Sequence, residues 1–136
     1  MRLIDRQELR EKLERGDVQL VMALPEHSFT AKRIPGTRHF ETVGEALDAL
    51  DPEDEIVVYC ATVYCPASIY AYTLLEREGY TRIHRYAGGI DDWEAAGLPV
   101  ESGEGRAPAA RAKRRARRTA RHVARRRWPA LAAEGP

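Results

Sequence analysis

The stretch 56–75 carries no formal charge over twenty positions. It opens with "IVVYC", an apolar, β-branched run that is typical of a strand buried on both faces of a sheet. Pro66 then suits the first turn of a helix, where a backbone N–H has no partner in any case. Pro66 and four tyrosines argue against a membrane span of this length. The stretch therefore predicts a strand, a loop and a helix in direct succession.

Strands and helices alternate on both sides of this unit. On its N-terminal side, Asp5 and Glu8 form a capping box that starts a helix, Gly16 can end it, and "VQLVMAL" has the length of a strand. On its C-terminal side, "TRIHRYA" is a further strand, followed by a turn and a short helix. This order predicts an α/β fold with an open, mostly parallel β-sheet flanked by helices.

The charge of the chain divides near residue 102. Residues 1–102 hold 11 Lys and Arg against 19 Asp and Glu, a balance of −8. Residues 103–136 hold 11 basic and 2 acidic side chains, a balance of +9. We therefore predict one domain over 1–102 and an Arg/Ala-rich basic tail over 103–136.

Alanines recur at helical spacing in the tail, with arginine over the remaining face, so the tail could form a helix of weak packing. Dense arginine favours nucleic acid phosphates or another acidic partner, and to a lesser degree lipid headgroups. The alternatives are that the tail lies on the acidic domain of its own chain, or that it is a solvated extension.

The first sixteen residues lack the apolar segment of a signal peptide, so we expect a cytoplasmic protein without a transmembrane segment. In the cytoplasm two cysteines stay mostly reduced, which favours thiol chemistry over a structural disulfide. The four histidines are dispersed, and two cysteines make a poor zinc site. We expect no metal and no cofactor.

Cys60 stands where the central strand ends and a helix is about to begin. Ligands gather at such points in parallel sheets. Free N–H groups at the helix start should lower the thiol pKa and favour the reactive thiolate. The same surroundings would hold a persulfide or an oxyanion. The alternative is that Cys60 is a small apolar residue at the end of a buried strand.

Three segments in sequence order carry a family resemblance: "RIPGTRHF", "EIVVYC" and "YAGGIDDWEAAGLPV". Over about 1–101 the chain resembles single-domain rhodaneses, sulfurtransferases in which a cysteine becomes a persulfide. The resemblance implies that Cys60 takes sulfur from a donor such as thiosulfate and passes it to a thiol or another nucleophilic acceptor. It also implies that loop N–H groups bind the sulfur-bearing intermediate, those of Ala61, Thr62, Val63, Tyr64 and Cys65.

The chain departs from the family pattern at four positions where the family carries polar or charged residues: Met22, Leu24, Arg33 and Cys65. Arg33 is then a possible contact for an anion. A persulfide donor suits this charge-poor mouth better than dianionic thiosulfate. Related phosphatases need an arginine at the position of Pro66, so we do not expect a phosphatase.

Cys65 is a possible second thiol. It could resolve an oxidised Cys60 or take the sulfur on in a relay, or it could simply fill space at the helix start. Three functions follow from these observations. A sulfurtransferase is favoured, and the alternatives are a non-catalytic rhodanese-like binding or regulatory module and a thiol redox protein that uses Cys60 and Cys65.

Overall fold

The computed structural model describes residues 1–103 of the chain. The predicted tail therefore lies, from residue 104 onward, outside the described residues. Within 1–103, no helix is long and apolar enough to cross a membrane. The elements in chain order are α1 (Arg6–Arg15), β1 (Val18–Met22), α2 (Glu26–Ala31), α3 (Val43–Ala49), β2 (Glu55–Tyr59), α4 (Ala67–Arg77), β3 (Ile83–Tyr86) and α5 (Gly89–Ala95).

The three strands form one parallel sheet in the order β1-β2-β3. Met22 pairs with Tyr59, and Tyr59 with Tyr86, so the three strands end at the same edge of the sheet. Isolated bridges pair Leu3 with β3 on one side and Arg38 with β1 on the other. The predicted open parallel sheet flanked by helices is confirmed, with β2 in its middle.

Residues 56–59 of the central strand β2 are buried, on both faces of the sheet, which explains why they carry no charge. Because side chains alternate along a strand, Ile56 and Val58 enter one core and Val57 and Tyr59 enter the other. Ile56 and Val58 pack with residues of α3 and α4. Val57 and Tyr59 pack with residues of α1, α2 and α5. The end of β2 is therefore held from both sides.

Local signals set several helix ends, and both ends of α1 agree with the sequence prediction. Asp5 and Glu8 form the reciprocal capping box of α1, and Gly16 ends that helix with φ of 77°. Thr42 accepts a hydrogen bond from the backbone N–H of Glu45 at the start of α3. Pro66 lies immediately before α4, and no side chain caps that helix. A backbone hydrogen bond from Ser68, in the first turn of α4, is directed to Cys60 instead.

Candidate active site

Cys60 lies directly after β2, at the carboxyl edge of the sheet. Its side chain points toward the start of α4, and the residue is 1% exposed. Sγ lies 3.4 Å from Oγ of Ser68, in the first turn of α4, and 3.5 Å from the carbonyl oxygen of Cys65. The sequence expectation that the sulfur lies between the strand end and the next helix agrees with this geometry.

The main chain around Cys60 is fixed from the opposite side by the start of α5. The N–H groups of Ile90 and Asp91 donate to the carbonyl oxygens of Cys60 and Ala61, both at 3.0 Å. Gly89 makes this approach possible, since a Cβ at that position would lie 2.3 Å from the carbonyl oxygen of Cys60. The second glycine of the Gly-Gly pair thus serves to dock α5 on the site.

The thiol of Cys60 is held in its neutral form. Burial first, and then the hydrogen bond with the Cys65 thiol, raise its pKa to about 11 against the opposing effect of the hydrogen bonds with Ser68. The start of α4 does lower this pKa through Ser68, as predicted, but the pKa as a whole lies above its ordinary value rather than below it. Desolvation of the sulfur outweighs the hydrogen bonds that α4 provides.

The loop 61–65 covers the sulfur and presents its middle to solvent. Tyr64 is 90% exposed and Val63 52%. The N–H of Tyr64 donates to Oγ1 of Thr62, and the N–H of Cys65 donates to the Thr62 carbonyl oxygen. These two amides are therefore engaged within the loop, and an anion on Cys60 would have to draw them away.

Cys65 lies at the end of this loop, and both cysteines are free thiols. It is half-buried, whereas Cys60 is buried. Its carbonyl oxygen and its thiol are both among the partners of the Cys60 sulfur. The structure thus places the predicted second thiol beside the first.

Arg33 has a structural environment of its own. It is 3% exposed, and its guanidinium donates to the carbonyl oxygens of Phe29 and Gly103 and to Glu101. Its main chain also pairs with that of Glu101. These contacts fasten residues 101–103 to the domain, and they do not support the predicted anion contact.

Sequence reasoning missed Arg85, a buried cation that is hydrogen-bonded to Ser68, the partner of the Cys60 sulfur. This β3 residue is 7% exposed. Its Nε donates to Oγ of Ser68 at 2.8 Å, and Nη2 donates to the carbonyl oxygen of Val63 at 3.4 Å. The available signal was alternation along β3, because Arg85 and Ile83 share the face that packs on α4.

Tyr59, the last residue of β2, ties a second segment to the strand end. Its hydroxyl accepts from the N–H of Ile34 at 3.0 Å and lies 2.7 Å from the Thr37 hydroxyl. Burial raises the pKa of Tyr59 to about 12, so the hydroxyl keeps its proton. The "IPGT" segment is held beside the site in this way.

Two of the predicted departures lie where β1 ends. Met22 is buried and Leu24 is half-buried, and both belong to the apolar cluster that contains Tyr59. This side of the site is apolar, as their residue types imply. Among residues 1–103, no cluster of three or more His, Cys, Asp or Glu side chains could hold a metal ion.

Comparison with curated proteins gives relatives of two kinds. The chain is 32% identical over 102 residues to the HTH-type transcriptional regulator Rv0324 of Mycobacterium tuberculosis, matching 74% of this chain and 45% of the regulator. It is 34% identical over 62 residues to the thiosulfate sulfurtransferase GlpE of Actinobacillus pleuropneumoniae, matching 46% of this chain and 56% of that enzyme. The chain thus spans about half the length of these relatives.

A further relative is covered more fully. The GlpE protein of Actinobacillus succinogenes, also a thiosulfate sulfurtransferase, is 32% identical over 82 residues, which are 59% of this chain and 72% of that protein. Among solved structures, the BH2092 protein of Bacillus halodurans has a TM-score of 0.68 at 20% identity, over 74% of this chain and 77% of that one. This last likeness shows the fold alone.

The model of the rhodanese-like domain family matches residues 5–96. This match spans all eight helices and strands of the described residues. It contains Cys60, the loop 61–65 and the Gly-Gly turn that docks α5 on the site. The chain therefore belongs to the rhodanese-like domain family.

Proposed function

We propose that the chain is a sulfurtransferase that carries sulfane sulfur as a persulfide on Cys60 and passes it to a thiol or another nucleophilic acceptor. One observation carries the proposal: Sγ of Cys60 lies at the end of the central strand and faces the first turn of α4. Relatives named as thiosulfate sulfurtransferases support it.

The proposed reaction has two half-reactions and needs no external oxidant. In the first, the Cys60 thiolate attacks the outer sulfur of a persulfide donor. A bond forms between Sγ and that sulfur, the donor's sulfur–sulfur bond breaks, and the donor leaves as a thiolate that takes up the proton lost by Cys60. In the second, an acceptor thiolate attacks the outer sulfur and returns the electron pair to Sγ.

Two features of the site bear on the donor. Cys60 is 1% exposed, so the loop 61–65 must move aside before any donor reaches the sulfur. Met22 and Leu24 make the end of β1 apolar, and the loop itself brings no charged side chain. A thiol persulfide meets less desolvation cost in such surroundings than dianionic thiosulfate does.

The test is sulfur loading followed by intact mass measurement. The protein is incubated with glutathione persulfide, and separately with thiosulfate, and then freed of donor. We expect a mass increase of one sulfur atom that is present in Cys65→Ser, is absent in Cys60→Ser, and disappears on addition of a thiol acceptor. Loading that survives Cys60→Ser, or fails with both donors while Cys60 reacts with an alkylating agent, overturns the proposal.

A rhodanese-like regulatory module is the second candidate. The regulator that matches 74% of this chain favours it, as does the neutral thiol of Cys60. A readily alkylated Cys60 that never takes up sulfur would favour this function over sulfur transfer. The redox alternative rests on the contact between the two thiols, and it predicts a reversible loss of two hydrogens that needs both cysteines.

A further inference from the structure

Arg85 is a buried cation without a buried counterion. The residue is 7% exposed, and within residues 1–103 its guanidinium makes no ion pair with any Asp or Glu. A guanidinium stays protonated in proteins, and a buried charge without a partner is costly. A group that becomes negative nearby would offset this cost. The sulfur of Cys60 can become negative, and it is joined to Arg85 through one shared hydrogen-bond partner.

Ser68 connects the two. Its Oγ accepts from Nε of Arg85 at 2.8 Å and lies 3.4 Å from Sγ of Cys60. In the neutral state Sγ of Cys60 donates to this oxygen. Once the thiol loses its proton, the hydroxyl hydrogen of Ser68, which the bond with Arg85 does not use, can donate to the sulfur. Hydrogen bonds in series polarise one another, so a cation at one end strengthens donation at the other. An anionic sulfur on Cys60 can thus accept a hydrogen bond from the Ser68 hydroxyl, which is itself polarised by the positive charge of Arg85.

We propose that Arg85, acting through Ser68, is a positioning residue that stabilises the anionic sulfur of Cys60. This inference deepens the proposed function and rests on it, because the anion concerned is the thiolate that attacks and the persulfide that is formed. The hydrogen bonds of Ser68 lower the pKa of Cys60, in agreement with this direction. Donation from Nη2 of Arg85 to Val63 also links the charge to the covering loop.

The other groups around the sulfur leave Arg85 as the source of positive charge. The loop 61–65 and the first turn of α4 contain no charged side chain, and Cys65 is their titratable group nearest to Sγ. On the α5 side, Asp91 donates its backbone N–H to Ala61, and its side chain is exposed. None of these groups supplies a cation.

The experiment measures ionisation of Cys60 rather than sulfur transfer. In the full chain carrying Cys65→Ser, cysteine labelled with ¹³C at Cβ is titrated from neutral pH to about pH 11.5, and circular dichroism at each pH reports that the fold persists. We expect Arg85→Gln to raise the pKa of Cys60 by about one unit, which is about tenfold less thiolate at a given pH. Arg85→Lys should restore part of this loss.

The connection through Ser68 is tested by non-additivity. Ser68→Ala should raise the pKa of Cys60 by a similar amount, and the double variant should add little, because both changes break one path. Arg82→Gln, at an exposed arginine just before β3, is the matched control and should leave the pKa unchanged. An unchanged pKa in folded Arg85→Gln, an equal change in Arg82→Gln, or full additivity with Ser68→Ala would overturn the inference.

The two proposals fail separately. If Cys60 never takes up sulfur but its pKa depends on Arg85 and Ser68 as expected, the sulfurtransferase function is wrong and the role of Arg85 in holding an anionic sulfur stands. If sulfur loads on Cys60 and the pKa is indifferent to Arg85, the function stands and the positioning role is wrong.

Discussion

The backbone N–H of Ile90 donates to the carbonyl oxygen of Cys60 at 3.0 Å. This bond joins the start of α5 to the end of the central strand, so the orientation of the cysteine depends on a turn thirty residues later in the chain. Gly89 is the residue that lets the two main chains come so close, with φ of 67°. The Gly-Gly turn is therefore part of the site's support as well as a feature of the fold.

Gly89→Ala is expected to destabilise the domain strongly. The new Cβ would combine a left-handed backbone with a clash against the carbonyl oxygens of Cys60 and Ala61, at 2.3 and 2.7 Å. Strain and overpacking together should lower the free energy of unfolding by about 3 kcal/mol or more. Urea denaturation measures the change.

The matched control is Gly97→Ala. Gly97 has φ of 80°, and a Cβ there meets nothing within 4 Å. This variant should show backbone strain alone, about 1 kcal/mol. Equal destabilisation by the two substitutions would mean that the clash of the new Cβ with the main chain at Cys60 does not contribute to the loss of stability.

Thiol reactivity should rise with pH without levelling off near neutrality. Burial, the largest cause of the raised pKa of Cys60, persists in Cys65→Ser although the contribution of the Cys65 thiol is lost, so the thiolate fraction in this variant should still grow about tenfold per pH unit above neutrality. The rate of alkylation by iodoacetamide, measured from pH 7 to about pH 10, should follow the same slope. A plateau below pH 9 would show that the sulfur is ionised more easily than its burial implies.

The same ionisation should affect stability at high pH. The folded pKa of Cys60 lies above its ordinary value of 9.0, so the fold favours the neutral thiol. The stability that this preference contributes is present below pH 9 and is lost as pH rises through about 11. Cys60→Ala should therefore lose less stability between these pH values than the unaltered protein, as measured by urea denaturation.

His84 should make the domain sensitive to acid. Burial lowers its pKa below the ordinary 6.5, and Nδ1 has no hydrogen-bond partner in the described structure. Because the fold favours neutral His84, its stabilising contribution is present above pH 6.5 and is lost as pH falls below that value. The charged groups around it are Glu55 and Glu8, which oppose the shift, and Lys12 and Arg2, which favour it.

His84→Gln is therefore expected to lose less stability than the unaltered protein between pH 7.5 and about pH 5. The free energy of unfolding at both pH values gives the comparison. His27→Gln, at an exposed histidine, serves as the control. Parallel pH profiles for His84→Gln and the unaltered protein would contradict the assignment.

Truncation should separate the basic tail from the domain. Removal of residues 104–136 leaves Gly103, whose carbonyl accepts from Arg33 and whose N–H donates to Thr30. We expect this variant to keep its stability and its sulfur loading, and to lose any salt-sensitive binding to a polyanion such as heparin. Undiminished heparin binding would rule out the tail as the binding segment.

A cut three residues earlier should behave differently. Removal of 101–136 also takes away Glu101 and Gly103, and the buried guanidinium of Arg33 then lacks two of its partners. An unpaired buried charge is costly, so unfolding should become easier by about 2 kcal/mol or more. Equal stability of the two truncated chains would show that the contacts of Arg33 are dispensable.

The sequence allowed much of the fold to be predicted because its signals are local. The capping box of Asp5 and Glu8 acts within one turn, and the uncharged residues 56–59 of β2 indicate burial directly. The order of strands and helices then predicted a parallel sheet with Cys60 at the carboxyl end of its strand. The function of the tail stays a prediction, since it lies outside residues 1–103.

The details of the site were beyond such signals. An arginine in a short strand is ordinarily exposed, and only the packing of β3 against α4 brings Arg85 to Ser68. Arg33 is a possible anion contact by its place in the sequence, yet it pairs with Glu101, which lies 68 residues away in sequence. Both outcomes depend on contacts that no local pattern encodes.

By itself the sequence determined where the cysteine lies, because residue type and periodicity dictate the strand that ends at Cys60 and the helix that follows. Tertiary structure decided the chemical state of its sulfur. The pKa of a thiol depends on the solvent it loses and on the dipoles and charges that surround it, and for Cys60 these come from burial, Cys65 and Ser68 only once the chain is folded.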